Sequence, residues 1–188
     1  MSTIHLDQVG GTNIERINKI LAGVPGGTYK AAGSALRRAG DTAKTRAGQF
    51  ASAQYTISKG TFMSNVSMKT NISGGAGGIA SMSIYFSGRV IALKKFKTRA
   101  TKRAGVHTQV LRNGSASTLS HAFGANIFGT SGIFERIGPS RFPLEQKYGP
   151  SAAHMMENDQ VVKQMEELIV ETFDRRIEHE ILRLLSGG

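Results

Sequence analysis

Two long segments carry apolar residues at helical spacing, and they predict helices near the two ends of the chain. Apolar residues that recur every three or four positions place one helical face toward a core or a subunit interface. In residues 28–54 the stripe is made mostly of small side chains: Ala32, Leu36, Ala39, Ala43, Ala47, Phe50 and Ala51. In residues 158–185 it is made of larger ones: Val161, Met165, Leu168, Ile169, Phe173, Ile177, Ile181, Leu184 and Leu185. A shorter stripe from Ile14 to Leu21 predicts one more helix near the N-terminus.

Between residues 55 and 137 the apolar pattern changes to alternation, which predicts strands. Val66, Met68 and Thr70 alternate with polar residues, and residues 79–86 form the expected partner strand across a glycine-rich tip. Further strands are expected at 90–93, 106–111, 121–127 and 133–137. The pattern therefore predicts an α+β fold in which an antiparallel sheet of about five strands packs with N-terminal helices and a long C-terminal helix.

The 188 residues are expected to form a single domain, because this length is enough to bury one core. A helical N-terminal part is expected at 1–54 and a β-rich part at 55–150, followed by the C-terminal helix at 158–185. The β-rich part contains a Pro-rich arm at 139–150. Pro143 lacks a backbone donor, so its run belongs on a sheet edge or in an extended arm.

Several classes of chemistry are disfavoured by composition. The chain has no cysteine, which excludes disulfides, thiolate nucleophiles and Cys-based zinc sites. It has no run of about 18 apolar residues and no charged-then-apolar leader, so we expect no membrane partner. The five histidines never occur at H-x-x-x-H spacing, and no phosphate loop or G-x-S-x-G elbow is present. We therefore expect no catalytic residue, no metal and no cofactor.

Positive charge is concentrated in residues 30–112, which carry 15 lysines or arginines and one acid, Asp41. It is densest at 94–103, where six of ten residues are cationic. Repulsion between like charges predicts an extended or mobile basic loop there, suited to a phosphate backbone but not to reading base edges. A solvated loop with no partner is the alternative. The phosphate-facing candidates are Lys94, Lys95, Lys97, Arg99, Lys102 and Arg103.

Several local strings resemble one known family. An Ala/Arg/Thr-rich helix at 35–46 is followed by an apolar strand that enters a basic segment at 91–96. His121-Ala122-Phe123 precedes an aromatic-plus-arginine strand at 132–136, and the most specific string is FPLEQKYGPS at 142–151, ahead of the long helix. This order resembles the minor tail protein Z family, the tail completion proteins of long-tailed phages.

The resemblance implies a structural virion protein with no catalytic motif. Such a protein joins the head-proximal end of the tail as a ring, expected to be a hexamer, in the host cytoplasm during assembly and then in the virion tail or neck. Its partners would be itself, the tail tube or tail terminator, head-neck proteins, and phage DNA in the lumen. The subunit-interface candidates are Phe134, Arg136, Arg141, Phe142, Pro143, Leu144 and Tyr148. The alternative is a sequence-nonspecific nucleic-acid-binding protein that uses segment 94–103.

Overall fold

The fold is taken from a computed structural model, which describes residues 2–6, 11–74, 80–101, 104–127 and 129–186. Its helices are α1 (Gly11–Ile20), α2 (Gly27–Gln54), α3 (Lys59–Ser64), α4 (Ala152–Met155) and α5 (Asp159–Leu185), with a 3-10 turn at Leu93–Lys95. Its strands are β1 (Ser2–Leu6), β2 (Ser67–Gly74), β3 (Ala80–Ser87), β4 (Val90–Ala92), β5 (Lys97–Thr101), β6 (Gly105–Gln109), β7 (Ser117–Leu119), β8 (Ala122–Ile127), β9 (Thr130–Arg136), β10 (Leu144–Gln146) and β11 (Tyr148–Ser151).

The predicted helices are present in the structure. Helix α2 begins one residue before the expected position and ends at Gln54, as expected. Helix α5 begins at Asp159, where Asn158 Oδ1 accepts a hydrogen bond from the Gln160 backbone N–H at 3.1 Å. An asparagine at this position satisfies one of the free amides of the first helical turn. The stripe at 14–21 falls in α1. Helix α3, which the pattern did not predict, is capped by the Ser58 hydroxyl.

The mixed α+β class is confirmed, but the expectation of one five-stranded sheet is wrong. The described strands form four small antiparallel sheets, with orders β1-β3-β2, β10-β9-β8, β11-β4 and β5-β6-β7. In chain order β1 precedes the helices, and β2 to β11 fall between α2 and α5. Alternation along a strand reveals that it has two different faces, but it does not say which strands share a ladder. The N-terminal part is not wholly helical either, because β1 pairs with β3 in the register Ser2↔Phe86 to Leu6↔Met82.

The contacts divide the chain into two compact units, and the first comprises Met1–Ala47, Met68–Phe86 and Val162–Gly188. In this unit the long helices α2 and α5 pack against each other. The small stripe of α2 is buried, and a Cβ atom placed on Gly40 would lie 2.8 Å from Met82 Sδ on β3. The absence of a side chain at Gly40 therefore lets α2 approach the β1-β3-β2 sheet closely.

The second unit comprises Gly48–Ser67 and Ser87–Val161. Two of its sheets are meanders, in which each strand pairs with the next along the chain, and the third joins β4 to β11 with a register shift between Tyr148 and Ser151. Phe62, Ile91, Val106 and Met155 are among its most deeply buried side chains. The basic segment at 94–103 and the subunit-interface candidates at 134–148 both belong to this unit.

Candidate nucleic-acid and subunit interfaces

The basic segment is folded, and the expectation of an extended or mobile loop at 94–103 is wrong for its described part. Lys94 and Lys95 lie in the 3-10 turn, and Lys97–Thr101 is strand β5. Strand β5 pairs with β6 over five residues, from Lys97↔Gln109 to Thr101↔Gly105. Backbone pairing and one buried aromatic ring overcome the repulsion between neighbouring cations, which a count of charge alone does not include. Lys102 and Arg103 lie outside the described residues.

That buried ring belongs to Phe96, which is 5% exposed and sits in the middle of the cationic run. A Cβ atom on Gly149 would lie 2.5 Å from Phe96 Cε2, so the ring packs directly on the β11 backbone. The next residue is fixed as well, because the Lys97 backbone N–H donates to Thr56 Oγ1 at 3.0 Å. Phe96 therefore anchors the segment and is not available to stack on a base.

The exposed side chains of this segment form a surface that we call the basic platform: Lys94, Lys95, Lys97 and Arg99. On the facing strand, Gln109 lies opposite Lys97 and His107 lies opposite Arg99. Lys97 Nζ donates to Gln109 Oε1 at 3.0 Å. Because side chains alternate along a strand, Thr98 points to the other side, where its hydroxyl bonds the Leu93 carbonyl at 2.9 Å. Lys97 and Arg99 therefore share one face of an ordered sheet, and Lys94 and Lys95 lie in the turn that leads into it.

The positive charge of the platform is not neutralised by any acid within the described ranges. Lys94 Nζ donates to the Ser131 hydroxyl and Lys97 to the amide of Gln109, both neutral groups. A depression of about 190 Å³ opens beside Lys97, Arg99 and His107. It is smaller than most small-molecule pockets, which hold about 300 Å³ or more. The platform suits a large polyanion better than a small ligand.

Three further polar residues of this sheet were not singled out from the sequence. His107 lies opposite Thr118 of β7, and His107 Nδ1 shares a hydrogen bond of 2.9 Å with the Thr118 hydroxyl. Gln109 also donates through Nε2 to the Arg112 carbonyl at 2.9 Å. The sequence places His107 and Gln109 in a predicted strand, but only the register shows which side chains reach the face of the platform.

Much of the Pro-rich arm at 139–150 pairs with strands of its own subunit and is therefore not free to pair with a neighbouring one. Strand β10 is an edge strand on β9, and β11 pairs with β4, so residues 144–151 belong to sheets of this subunit. The edge position agrees with the argument from Pro143, whose peptide bond with Phe142 is cis. The remaining residues of the arm, 139–143, together with the two residues before them form a segment, 137–143, that is named here the turn segment. It exposes two apolar side chains, Ile137 at 67% and Phe142 at 53%.

Arg136 fastens the turn segment at its base. Its Nη1 donates to the Arg141 carbonyl at 2.7 Å, and its guanidinium lies 5.5 Å from the centre of the Phe123 ring. The guanidinium of Arg141 lies 5.7 Å from the Phe142 ring. A cation over an aromatic face is attracted to the electrons of the ring. The exposed phenyl group of Phe142 therefore lies on a turn whose conformation is stabilised by Arg136.

The other interface candidates differ in accessibility. Phe134, a residue of β9, is buried at 6% exposure. Leu144 is half-buried, and Tyr148 is half exposed. Next to Tyr148, Lys147 Nζ bridges Glu135 and Glu145, each at 2.7 Å. These two carboxylates raise the pKa of Lys147, which keeps its charge. The accessible part of this surface is thus Arg136, Arg141, Phe142, Pro143 and Tyr148.

A further cavity of about 420 Å³ is lined in part by Tyr55, Thr108 and His154. Burial raises the pKa of the Tyr55 hydroxyl, the Asn158 hydrogen bond lowers it, and Glu157 raises it again. His154 Nδ1 lies 3.0 Å from Glu157 Oε2.

Metal and membrane sites were sought over the same residues. Within the described ranges, no three histidine or acidic side chains come together in a way that could hold a metal ion. Among the helices described, none is both long and apolar enough to cross a membrane. Comparison of the chain with protein-family models, curated proteins and solved structures found no match.

Proposed function

We propose that this chain is a structural virion protein of a tailed phage, acting in tail completion and head-tail joining. Copies form a ring, expected to be a hexamer, at the head-proximal end of the tail around the DNA channel. The protein assembles in the host cytoplasm and remains in the tail or neck. Its partners are further copies of itself, the tail tube or tail terminator, head-neck proteins, and DNA held without sequence preference.

One observation carries this proposal: among the described residues the basic platform has no acidic partner, and two of its four cations stand on a paired strand. A lumen that passes DNA has to offer positive charge without gripping individual bases. Lys94, Lys95, Lys97 and Arg99 meet this requirement, because their side chains are exposed and the only aromatic ring among them is buried. The resemblance of residues 142–151 to tail completion proteins supports the same role.

The turn segment supplies the second element that a ring component needs, an accessible contact for neighbouring subunits. Protein interfaces favour aromatic residues and arginine over lysine and acids. Arg141, Phe142 and Tyr148 are such residues, and all three are exposed. This surface would meet either the next copy or a protein of the tail or neck.

The direct test is electron microscopy of the virion together with a mass measurement in solution, with and without purified tails. A ring at the head-proximal end of the tail is the expected result. Changing Lys94, Lys95, Lys97 and Arg99 to Gln should preserve ring formation but reduce head joining or DNA passage. The matched control changes four exposed lysines elsewhere, Lys19, Lys59, Lys69 and Lys163, to Gln. Collapse of the ring only in the platform variant would contradict a lumenal role.

A second candidate is a sequence-nonspecific nucleic-acid-binding protein, favoured by the same ordered platform. Four phosphate contacts predict that affinity for duplex DNA falls by about two orders of magnitude between 50 and 200 mM salt. A monomer that ignores tails and shows this salt dependence would favour the second candidate. A closed oligomer that binds tails would favour the first.

A further inference from the structure

A groove runs along the exposed face of helix α2, in the first unit. Its volume is about 490 Å³, and it is lined by Tyr29, Lys30, Gly33, Ser34, Arg37, Arg38, Asp41 and Ile72. Gly33 and Ser34 give it a shallow floor, and no atom lies within 4 Å of a Cβ placed on Gly33. The open space along this helix is therefore continuous and can accept side chains from another molecule.

The groove is positively charged. Lys30, Arg37 and Arg38 are exposed, and within the described ranges none of them forms a salt bridge. The one acid of the lining, Asp41, is already engaged by Lys44 Nζ at 2.9 Å. Exposed Tyr29 adds an aromatic ring beside these cations.

The exposed face of helix α5, in the same unit, has the opposite charge. Glu167, Glu171 and Asp174 follow one another at spacings of three or four residues, with Val170 among them at 40% exposure, whereas Glu178, one turn further on, is paired with Arg16 at 3.3 Å. Glu167 and Asp174 have no basic partner in the part of the chain that the structure describes. Glu171 meets only Arg175, at 3.1 Å, in a pair whose side chains are both about 70% exposed. Such pairs contribute little to stability and can exchange partners at low cost.

The two faces also match in spacing. Lys30 and Arg37 are separated by seven residues, as are Glu167 and Asp174, and seven residues of helix rise by about 10.5 Å. Within one chain α2 and α5 pack through their buried faces, so their exposed faces cannot meet each other. The acidic face therefore needs a second molecule to reach a basic groove of this kind.

We propose that the acidic face of α5 in one copy docks into the basic groove of α2 in the next copy. This inference rests on the ring of the proposed function and identifies one of its subunit contacts. The contact joins two different surfaces, so repeating it generates a closed ring when the rotation between copies fits. Val170 then faces the apolar lining from Tyr29 and Ile72. A nucleic-acid backbone has no group that would use this apolar lining, and for that reason we assign the groove to a protein helix.

Charge reversal tests the contact. One variant carries Lys30→Glu and Arg37→Glu, a second carries Glu167→Lys and Asp174→Lys, and a third carries all four changes. All changes are at exposed positions, and circular dichroism verifies the fold of each variant. Sedimentation and mass measurements follow self-association, alone and with purified tails. We expect each two-residue variant to lose self-association at least tenfold, and both the four-residue variant and an equimolar mixture of the first two to recover it.

Each outcome decides the matter. Unchanged association in the two-residue variants would overturn this contact and leave the ring proposal standing. Loss without recovery in the four-residue variant and the mixture would show that these faces do not pair with each other, and would overturn it too. Loss of duplex DNA binding in the Lys30→Glu/Arg37→Glu variant, with association unchanged, would assign the groove to nucleic acid. Wild-type protein that stays monomeric and ignores tails would refute the proposed function itself.

Discussion

The ring of Phe96 occupies the space that a side chain at position 149 would need. A Cβ atom on Gly149 would approach Cε2 of Phe96 to 2.5 Å and Cζ to 3.0 Å. Gly149 lies on β11 and Phe96 directly precedes β5, so this contact ties the basic platform to a different sheet of the same unit. The position of the cations therefore depends on a glycine 50 residues away.

Replacement of Gly149 by Ala is expected to lower the free energy of unfolding by about 1–3 kcal/mol, the usual cost of forcing extra volume into a packed site. The colliding atoms belong to a buried ring that has little room to move. Denaturant unfolding of the variant gives the measurement. Gly138→Ala is the matched control, because no atom lies within 4 Å of a Cβ at Gly138. Equal stability of the two variants would refute the packing argument.

Two glycines of helix α2 should respond in opposite ways to substitution. Gly33→Ala meets open space and should stabilise the protein by about 0.5–1 kcal/mol, because Ala is the better helix former. Gly40→Leu must displace Met82 and Thr70 and should destabilise it by at least about 1 kcal/mol. Thermal unfolding of both variants is the measurement. A stabilising Gly40→Leu would mean that α2 does not approach the sheet as described.

Tyr55 should contribute a pH-dependent part of the stability at high pH. Burial raises the pKa of its hydroxyl above the ordinary value of 10.0, so the folded state favours the protonated form. That contribution is complete below pH 10 and is lost as the pH rises through the folded-state pKa. The stability advantage of wild type over Tyr55→Phe should therefore shrink above pH 10. Tyr29→Phe controls for loss of an exposed hydroxyl, and an advantage that stays constant with pH would contradict the expectation.

The exposed apolar pair of the turn segment should matter for association but not for folding. Ile137→Ser combined with Phe142→Ser removes solvent-exposed surface, so the free energy of unfolding should change by less than about 0.5 kcal/mol. Binding to tails or to further copies should weaken measurably in a pull-down with purified tails. Val90→Ser, also at an exposed apolar position, is the control. Equal tail binding by wild type and the double variant would remove this surface from the interface.

Arg136 should control the mobility of the turn segment more than global stability. Arg136→Gln removes the hydrogen bond to the Arg141 carbonyl and the contact with the Phe123 ring. Amide hydrogen exchange of residues 137–143 should become faster, while the midpoint of denaturant unfolding shifts little. Arg141→Gln, which leaves the brace intact, is the comparison. Unchanged exchange in Arg136→Gln would show that the turn holds its shape without this arginine.

The sequence was sufficient for α1 and the two long helices, α2 and α5, because their information is local, but it missed the short helices α3 and α4. The stripe that includes Ala39 and Ala43 keeps one periodicity from Ala32 to Ala51, and the six most buried side chains of α5 fall on the predicted face. The pairing of strands that are distant in the chain leaves no comparable pattern in the sequence near either strand. Nothing near Ser2–Leu6 indicates that its partner is β3, almost 80 residues later.

The candidate surfaces, like the strand pairing, depend on contacts between distant parts of the chain that the sequence does not reveal. The cationic composition of 94–103 is visible in the sequence, but its conformation depends on Phe96, Gly149 and the pairing with β6. Charge repulsion favoured an extended or mobile loop, because a count of charges does not include the buried ring in the middle of the run. The groove on α2 needed the structure as well, because Ile72 joins its wall from a strand far along the chain.

Strand β5 lies at the edge of its sheet, with its second backbone edge not paired in any described ladder. Such an edge is a template for another strand, and unprotected edges lead to aggregation. Lys97 and Arg99 stand on that edge and repel an identical strand that approaches it. The charges that would face DNA in the assembled ring would therefore also disfavour pairing of free subunits through this strand edge.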